Sequence, residues 1–376
     1  MSLNIHSSLT YSYPEAVQAG DINFVSYKPS TNSFASNSTL SVKMTSNTEF
    51  LIPERSYIKF NLTPSAVSTL NPQGASACFS QIQDIIGGLS VPLQRNWNVE
   101  RNVILQSDTS ERKQITVACE QFTNSSSATG TVTAVDTAIP IVMPFISSVD
   151  FAGKVFPLAV ISSGWQIDYT LAPDATVVVA GSYTISDFEI VACMIKPPSN
   201  YMREINEGLA SGSSLKMPVS LTKTITTGLT NNNSQSINLN IGYLSSINSL
   251  TMVQKTTNAH ITSAKLTSYV INIDGQRFPR NKQIYTNLEG IYQTLAGYDT
   301  KINSIGLGDA TYQVFQHYSF KSSPAFASGI PTANGIVSLD LACSTAPAST
   351  DVLIAMINYD ALLVISNGVV QLSSDV

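Results

Sequence analysis

Three histidines, His6, His260 and His317, are the side chains best suited to acid–base or metal chemistry in this sequence. Metal sites built on nitrogen and sulphur ligands need clustered His and Cys residues. His260 has no Cys or His neighbour, and His317 is predicted to share a strand face with Phe315 in the segment TYQVFQHYSF. We therefore predict a structural role for His317, and we predict no metal site and no cofactor.

The cysteines and the glycine-rich motifs give no catalytic signature. The four cysteines are far apart and form no C-x-x-C pair: Cys78, Cys119, Cys193 and Cys343. This spacing favours buried free thiols over disulfides. The G-x-S-x-G elbow of a serine hydrolase is absent. The segment Gly306-Leu307-Gly308 begins like a dinucleotide-binding loop, but Thr311 stands where the third glycine belongs and the βαβ context is missing.

Carboxylate pairs and an arginine-rich stretch are the remaining candidates for chemistry. Three acidic pairs could in principle serve glycoside hydrolysis, but each is explained as solvated loop or strand residues: Glu49/Glu54, Asp108/Glu111 and Asp187/Glu189. Trp97 lies among the arginines of residues 95–112, a pattern that can stack on nucleic acid. Because Glu100 and its acidic neighbours offset these arginines, we predict interface or loop packing there. Trp165 is predicted to be a core or interface tryptophan. We predict that the chain has no catalytic residue and is not an enzyme.

Composition indicates a β-rich protein with neutral polar faces. The chain has 376 residues, enough for two domains, and a net charge of −5. Charged residues make up 12% of it, about half the ~25% typical of soluble domains. Lys28 is the only basic residue among the first 30, so we expect no nucleic-acid-binding arm. No run of 18 apolar residues occurs, and the N-terminal residues lack the pattern of a signal peptide.

Short segments of alternating apolar and polar residues recur along the chain. Three of them have these apolar positions: Ile58, Phe60 and Leu62; Ile167, Tyr169 and Leu171; Ile237, Leu239, Ile241 and Tyr243. A strand that buries only one face is typical of antiparallel sheet. Two-residue turn signals separate such segments at Asp274-Gly275, Asn334-Gly335 and Asn367-Gly368. The last pair predicts a hairpin that joins residues 361–366 to 369–373.

The segment from Ser263 to Asp299 predicts a strand, a tight turn and a helix. In the strand, Thr267, Tyr269, Ile271 and Ile273 are expected on one face. Pro279 ends the hairpin because it has no N–H to donate. The spacing Thr286-x-x-Glu289 opens a helix that closes near Gly297, with four apolar residues on one side: Leu288, Ile291, Tyr292 and Leu295. Replacing Gly275 by valine is expected to impair folding or assembly, since a β-branched residue resists positive φ.

A second helix is predicted from Ser199 to about Leu209, with Met202, Ile205 and Leu209 along one side. The segment Phe79 to Ile86 is ambiguous between helix and strand. The Gly/Ser-rich stretch ASGSSLKMP follows the second helix, and we place a domain boundary near residue 212. The sequence therefore predicts two all-β domains, 1–212 and 213–376, with a connector helix near 199–209.

Several segments together resemble the double jelly-roll major capsid proteins of tailless icosahedral DNA viruses, nearest to virophage and polinton-like members. The segments that carry the resemblance are TEFLIPERSYIKFNL (48–62), IQDIIGGLSVPLQRNWNVERNVI (82–104), GKVFPLAVISSGWQIDYTLA (153–172), YVINIDGQRFPRN (269–281), Ser328-Gly329 with Ala333-Asn334-Gly335, and YDALLVISNGVVQL (359–372). They occur in the family's order. The chain is short for the virophage-like branch, so long surface insertions are expected to be missing.

The resemblance implies an all-β fold of two consecutive eight-stranded antiparallel jelly rolls with a few short helices. It also implies a non-enzymatic chain that forms homotrimers, which act as pseudo-hexameric capsomers and tile an icosahedral shell. Its partners would be copies of itself, neighbouring capsomers and minor capsid or penton proteins, over a possible internal membrane. The chain would be made in the host cytoplasm without a signal peptide and would reside in the virion.

Two alternatives stay open from the residues alone. A β-sandwich adhesin, carbohydrate-binding or fibre protein would explain the Ser/Thr/Asn-rich surface but not the two barrel-sized halves. A sandwich-fold glycoside hydrolase or lyase would need a catalytic carboxylate pair. Turnover of a polysaccharide that is lost when one carboxylate is mutated would favour this alternative.

Overall fold

The computed structural model describes residues 21–65, 68–69, 74–107, 131–132, 135–140, 155–255, 266–279, 284–285, 315–320, 329–332 and 335–373. Within these ranges the regular structure is mainly antiparallel β-sheet. The helix predicted at 286–297, together with His6, Cys119, His260 and Asn334, lies outside the described residues.

The first half of the chain forms a two-sheet barrel. Its described strands are β1 (Ile22–Tyr27), β2 (Ser33–Ala35), β3 (Thr39–Met44), β4 (Phe50–Pro64), β5 (Ser68–Thr69), β6 (Phe79–Ile86), β7 (Leu89–Ser90), β8 (Gln94–Arg95), β9 (Thr131–Val132), β10 (Val135–Pro140), β11 (Trp165–Leu171) and β12 (Tyr183–Ile195). One sheet has the order β1-β12-β4-β10 and is called the β1 sheet below. The facing sheet has the order β3-β11-β6-β7, with β8 added beside β6.

The second half forms another two-sheet barrel. Its described strands are β13 (Leu215–Gly228), β14 (Ser234–Asn240), β15 (Leu244–Lys255), β16 (Leu266–Ile273), β17 (Gln276–Phe278), β18 (Ile284–Tyr285), β19 (Phe315–Ser319), β20 (Ile330–Thr332), β21 (Ile336–Cys343), β22 (Val352–Ser366) and β23 (Val369–Ser373). The β13 sheet has the order β13-β22-β15-β19, and the facing sheet has the order β14-β21-β16-β17.

Both barrels have the strand order of a jelly roll. If the main strands of each barrel are numbered along the chain, one sheet reads 1-8-3-6 and the other reads 2-7-4-5, in both halves. This is the arrangement produced by two interlocked Greek keys, in which distant strands pair across the barrel. The fold is therefore two consecutive antiparallel jelly rolls, as the resemblance implied.

The alternating segments of the sequence form strands whose apolar residues point into these barrels. Ile58, Phe60 and Leu62 are buried in β4, and β11 and β14 follow the same pattern. Phe79–Ile86, ambiguous in the sequence, is a strand.

Two expectations about buried strand faces are wrong. Tyr243 is 58% exposed because β14 ends at Asn240. Thr267 is exposed because the register between β16 and β21 shifts there, which takes it off the buried face.

The core of the first barrel is aromatic. Phe79 lies at the centre, with its ring 5.4 Å from that of Phe60, 5.2 Å from Tyr169 and 6.2 Å from Phe188. Trp165 is fully buried beside Phe156, at 5.1 Å between ring centroids. Such large apolar side chains dominate burial energetics, so this core supplies much of the stability of the barrel.

One carboxyl group, that of Asp84 in β6, is buried in the same core. The Trp165 indole Nε1 donates a hydrogen bond to Asp84 Oδ1 at 2.9 Å. The pKa of Asp84 is raised to about 7, chiefly by burial; the indole hydrogen bond opposes this rise, and the nearby Asp168 adds a smaller contribution to it. The folded chain therefore binds this proton more tightly than the unfolded chain does, for which the ordinary pKa is 3.8.

This buried acid predicts a pH-dependent stability. The raised pKa of Asp84 increases the unfolding free energy. This increase is fully present below pH 3.8 and is lost as the pH rises through about 7. Asp84→Asn keeps an acceptor for Trp165 but cannot ionise. Between pH 5 and pH 8 we expect the unfolding free energy of the wild type to fall by about 3 kcal/mol relative to this variant. Urea unfolding of both proteins at the two pH values measures the difference, and parallel pH profiles would contradict the assignment.

The described helices are few and short. The seam helix spans Trp97–Ser107, the connector helix spans Ser199–Ala210, and one further turn spans Asp174–Val177. Short 3₁₀ segments occur at Gly74–Cys78 and Leu158–Val160. None of the helices in the described part of the chain is long and apolar enough to cross a membrane.

Candidate functional site: the seam between the barrels

The seam helix lies between the two barrels, at a place where no helix was predicted from the sequence. It begins after Asn96, whose φ is +55° and whose carbonyl accepts hydrogen bonds from the N–H groups of Val99 and Glu100. Asn96 also crosses the seam, because its Nδ2 donates to Thr226 Oγ1 in β13 at 2.9 Å. Of the two environments predicted for this stretch, interface or loop packing, the described residues 96–103 show an interface between the barrels, formed from a helix.

The helix buries side chains on two sides. Trp97 packs on the first barrel, with its ring 5.9 Å from that of Phe79. Val99 and Val103, one turn apart on another side, form an apolar cluster with three residues of the second barrel: Val253, Ile354 and Met356. The alternate residues of β22, such as Ala355, face the interior of that barrel. The helix therefore covers the outer face of the β13 sheet.

A polar network around Glu100 lies beside this apolar cluster. Thr222 Oγ1 in β13 lies 2.8 Å from Glu100 Oε1 and 2.8 Å from Asn358 Oδ1 in β22. Gln94 of the first barrel donates its amide N–H to Glu100 Oε2. Burial raises the pKa of the Glu100 carboxyl, and the hydrogen bonds from Thr222 and Gln94 oppose that rise. One side chain thus connects strands of both barrels.

Removing this carboxyl should weaken the attachment of the barrels. Glu100→Ala leaves Gln94 without this acceptor and leaves Thr222 only Asn358, which should lower the unfolding free energy by about 1–3 kcal/mol. The matched control is Glu207→Ala, since Glu207 forms an exposed ion pair with Arg203 at 3.7 Å on the connector helix. Exposed pairs contribute about 0–1 kcal/mol. Urea unfolding at pH 7 compares the two variants, and equal losses would show that the Glu100 network is not a seam contact of consequence.

The predicted Asn367-Gly368 turn lies at a second contact between the barrels. Both residues have positive φ, +50° and +74°, and they join β22 to β23 as the sequence pattern requires. Ser162 of the first barrel donates a hydrogen bond to the Gly368 carbonyl at 3.2 Å. A Cβ added at Gly87, in the turn between β6 and β7, would lie 2.6 Å from Val370 of β23. The C-terminal hairpin is therefore packed against the first barrel.

The other predicted turns meet at one end of the second barrel. Asp274 and Gly275 have φ of +47° and +83° and join β16 to β17. Asp274 N–H donates to the Ile336 carbonyl at 3.1 Å, and Gly335 packs on the backbone of Gly242. The described residues of these turns hold strands of the barrel in register.

The connector helix lies where the sequence predicted it and runs from the end of β12 towards β13. Leu209 is buried, and Met202 and Ile205 are partly buried against the core. The rings of Tyr201 and Phe50 of the first barrel pack edge to face, with their centroids 6.4 Å apart. The apolar side of this helix thus faces the protein, as its i, i+3, i+7 spacing indicates.

A cleft of about 700 Å³ opens between the barrels near β13. Leu93, Arg95, Lys223 and Tyr243 are among its lining residues. The Lys223 ammonium group donates to the Ile241 carbonyl at 2.5 Å. Within the described lining the only charged side chains are the two cations, and no acid–base pair suited to catalysis occurs there.

Of the histidines and cysteines considered for chemistry in the sequence, those in the described part of the fold are buried. His317 is buried, with Nδ1 2.8 Å from Thr251 Oγ1 on the outer face of the β13 sheet, in agreement with its predicted role. Cys78, Cys193 and Cys343 are buried free thiols, and burial raises the pKa of Cys78 and Cys193. In the described part of the chain, His, Cys, Asp and Glu side chains form no group of three that could hold a metal ion.

Structures of viral capsid proteins share this two-barrel architecture. VP54 of PBCV-1, fitted into a reconstruction of the virophage Sputnik, aligns over 96% of this chain and 98% of its own, with a TM-score of 0.70 and 13% identity. The chain is a double jelly-roll protein.

Two further solved structures align with nearly the whole chain. For the Faustovirus major capsid protein the TM-score is 0.66 at 8% identity, over 95% of this chain and 92% of the other. For the mavirus major capsid protein the TM-score is 0.55 at 9% identity, and the alignment covers 100% of this chain and 93% of the mavirus chain. Comparison with protein-family models gives no match, and comparison with curated proteins gives none either. At these identities the similarity establishes the fold alone.

Proposed function

We propose that this chain is the major capsid protein of a tailless icosahedral virus with a DNA genome. The observation that carries the proposal is the repeated 1-8-3-6 and 2-7-4-5 strand order, joined by a built seam into one two-barrel unit. The similarity to major capsid proteins extends over nearly the whole of each chain, so it includes both barrels and their connection.

The proposed assembly is a homotrimer. Three copies of a two-barrel chain contain six similar barrels, which gives a capsomer of nearly hexagonal outline that can tile a shell. In this proposal residues 1–212 form one barrel and residues 213–376 form the other. Neighbouring capsomers and minor capsid or penton proteins are the proposed further partners, with residence in the virion.

The physical character of the chain supports a structural role. Charged residues are only 12% of the sequence, which suits a subunit whose sides face copies of itself. The polar side chains of Glu100 and His317 form hydrogen bonds within the chain, with Thr222 and Thr251.

Sedimentation equilibrium of the purified protein tests the proposed assembly. Three times the chain mass of 40.3 kDa is about 121 kDa, and this mass is the expected result at micromolar concentration. A species that stays at the single-chain mass up to high concentration would refute the capsomer. An elongated trimer that binds glycans would favour the adhesin instead.

A further inference from the structure

The cleft between the barrels runs along a free edge of the β13 sheet. Strand β13 pairs with β22 on one side, and no described strand pairs with it on the other. Three successive residues of β13 line the cleft, Thr222, Lys223 and Thr224, and successive side chains of a strand lie on opposite faces. Residues of both faces therefore border the cleft, so the edge of β13 and its backbone N–H and C=O groups lie beside it. An extended peptide can add to such an edge as a further strand.

Several hydrogen-bond donors in the cleft lack partners within the described part of the chain. The Arg95 guanidinium group forms no ion pair or hydrogen bond with the described residues. Tyr359 is 6% exposed, and its hydroxyl makes no hydrogen bond there either. Thr224 Oγ1 is buried and also lacks a partner. Buried polar groups are nearly always satisfied, so these donors indicate a ligand that supplies acceptors.

The cleft has a local excess of positive charge. Arg95 and Lys223 are the charged side chains of its described lining, which contains no Asp or Glu. Lys223 donates one hydrogen bond to the Ile241 carbonyl, and an ammonium group has three protons to donate. Glu100 contacts the lining through Thr222, but its two carboxylate oxygens accept from Thr222 and Gln94 in the seam. The whole chain has a net charge of −5, so this excess is local and favours a carboxylate ligand.

The rim of the cleft also presents apolar surface. Leu93 and Tyr243 are 36% and 58% exposed, and both line the cleft. The volume of about 700 Å³ lies within the ~300–1,000 Å³ usual for ligand sites. Apolar walls beside unpaired cations suit a ligand in which apolar and acidic side chains alternate, as they do on the two faces of an extended strand.

We propose that this cleft binds an extended acidic peptide segment of a separate protein as an additional strand on the free edge of β13. Backbone hydrogen bonds to the edge supply affinity in this mode of recognition, and the side-chain contacts supply selection. Arg95, Lys223 and the Tyr359 hydroxyl bind the carboxylates of the segment. Leu93 and Tyr243 contact its apolar side chains. The site lies within one chain, so its test does not require the proposed trimer.

Fluorescence polarisation with a labelled, acetylated peptide of alternating valine and glutamate tests the site in the whole chain. We expect saturable binding of this peptide and none of a peptide with lysine in place of glutamate. Arg95→Gln should weaken binding about tenfold, because it removes a charge-assisted hydrogen bond. Tyr359→Phe removes only the hydroxyl and should weaken binding about threefold without lowering the thermal unfolding midpoint.

The matched control is Arg203→Gln, which removes an exposed cation of the connector helix that is not among the lining residues. This control should bind the glutamate peptide as the wild type does. Arg95 is exposed, so Arg95→Gln should fold normally, and an unchanged unfolding midpoint checks this.

Five outcomes would overturn the proposal. The first two are no binding of the glutamate peptide by the wild type and equal binding of the lysine peptide. The third is wild-type affinity in both Arg95→Gln and Tyr359→Phe. Binding of the wild-type chain only after deletion of residues 374–376 would assign the cleft to the segment around Asp375 of the same chain. Self-association that is lost in Arg95→Gln would assign the cleft to another copy.

Discussion

Replacing Trp165 by alanine is expected to unfold the first barrel at physiological temperature. Trp165 is fully buried against Phe156, and removal of so large a core side chain costs about 3–5 kcal/mol. The same change deprives the buried Asp84 carboxyl of its indole donor, which adds about 1–3 kcal/mol. The sum is comparable to the whole stability of a typical domain, about 5–15 kcal/mol. Soluble yield and the thermal unfolding midpoint measure the effect.

Two further variants separate the two causes. Trp165→Phe fills most of the volume but offers no N–H to Asp84, so it should lose less stability than the alanine variant. The double variant Trp165→Ala with Asp84→Asn removes the unpaired acid and should recover part of the loss at pH 8. A Trp165→Ala protein that melts within about 3 °C of the wild type would mean that this core is misassigned.

Replacing Gly335 by alanine should disturb the end of the second barrel almost as severely. Gly335 has a φ of +67°, a backbone region that costs an L-residue about 1–2 kcal/mol. A Cβ there would lie 2.5 Å from the carbonyl carbon of Gly242, and backbone cannot move aside as a flexible side chain can. Overpacking of this kind costs about 1–3 kcal/mol, so we expect a total loss of about 3–4 kcal/mol in urea unfolding.

Gly275 provides the matched control for Gly335. Its φ is +83°, and nothing lies within 4 Å of an added Cβ. Gly275→Ala should therefore show the conformational cost alone, about 1 kcal/mol, while Gly275→Val should cost more because a β-branched residue resists this φ. Equal losses for alanine at Gly335 and at Gly275 would contradict the close approach of Gly335 to Gly242.

The strands and turns were predictable because their signals are local. The alternation in Ile58–Leu62 requires only that one face be buried, and the Asp274-Gly275 and Asn367-Gly368 pairs supply positive φ from their own chemistry. Thr267 was assigned to the wrong face because a register shift depends on the partner strand β21, which periodicity within one segment cannot reveal. The prediction for Tyr243 was wrong because the alternation in the sequence continues beyond Asn240, the last residue of β14.

The seam helix could not be recognised as a helix by its apolar face because it has two. Trp97 packs on the first barrel and Val99 and Val103 pack on the second, so the apolar residues do not form one stripe at 3.6-residue spacing. The available signal was the i, i+4 pair Val99 and Val103 after Asn96, a residue that tolerates positive φ. The network of Glu100, Thr222 and Asn358 joins positions more than 100 residues apart, and only the folded topology brings them together.

Electron microscopy of the purified full-length protein tests the central proposal most directly. Class averages of single particles should show a threefold particle of hexagonal outline with six similar densities, two from each chain. Averages that show isolated two-lobed particles, or elongated fibres with no threefold view, would contradict the proposal that this double jelly roll is a capsid subunit.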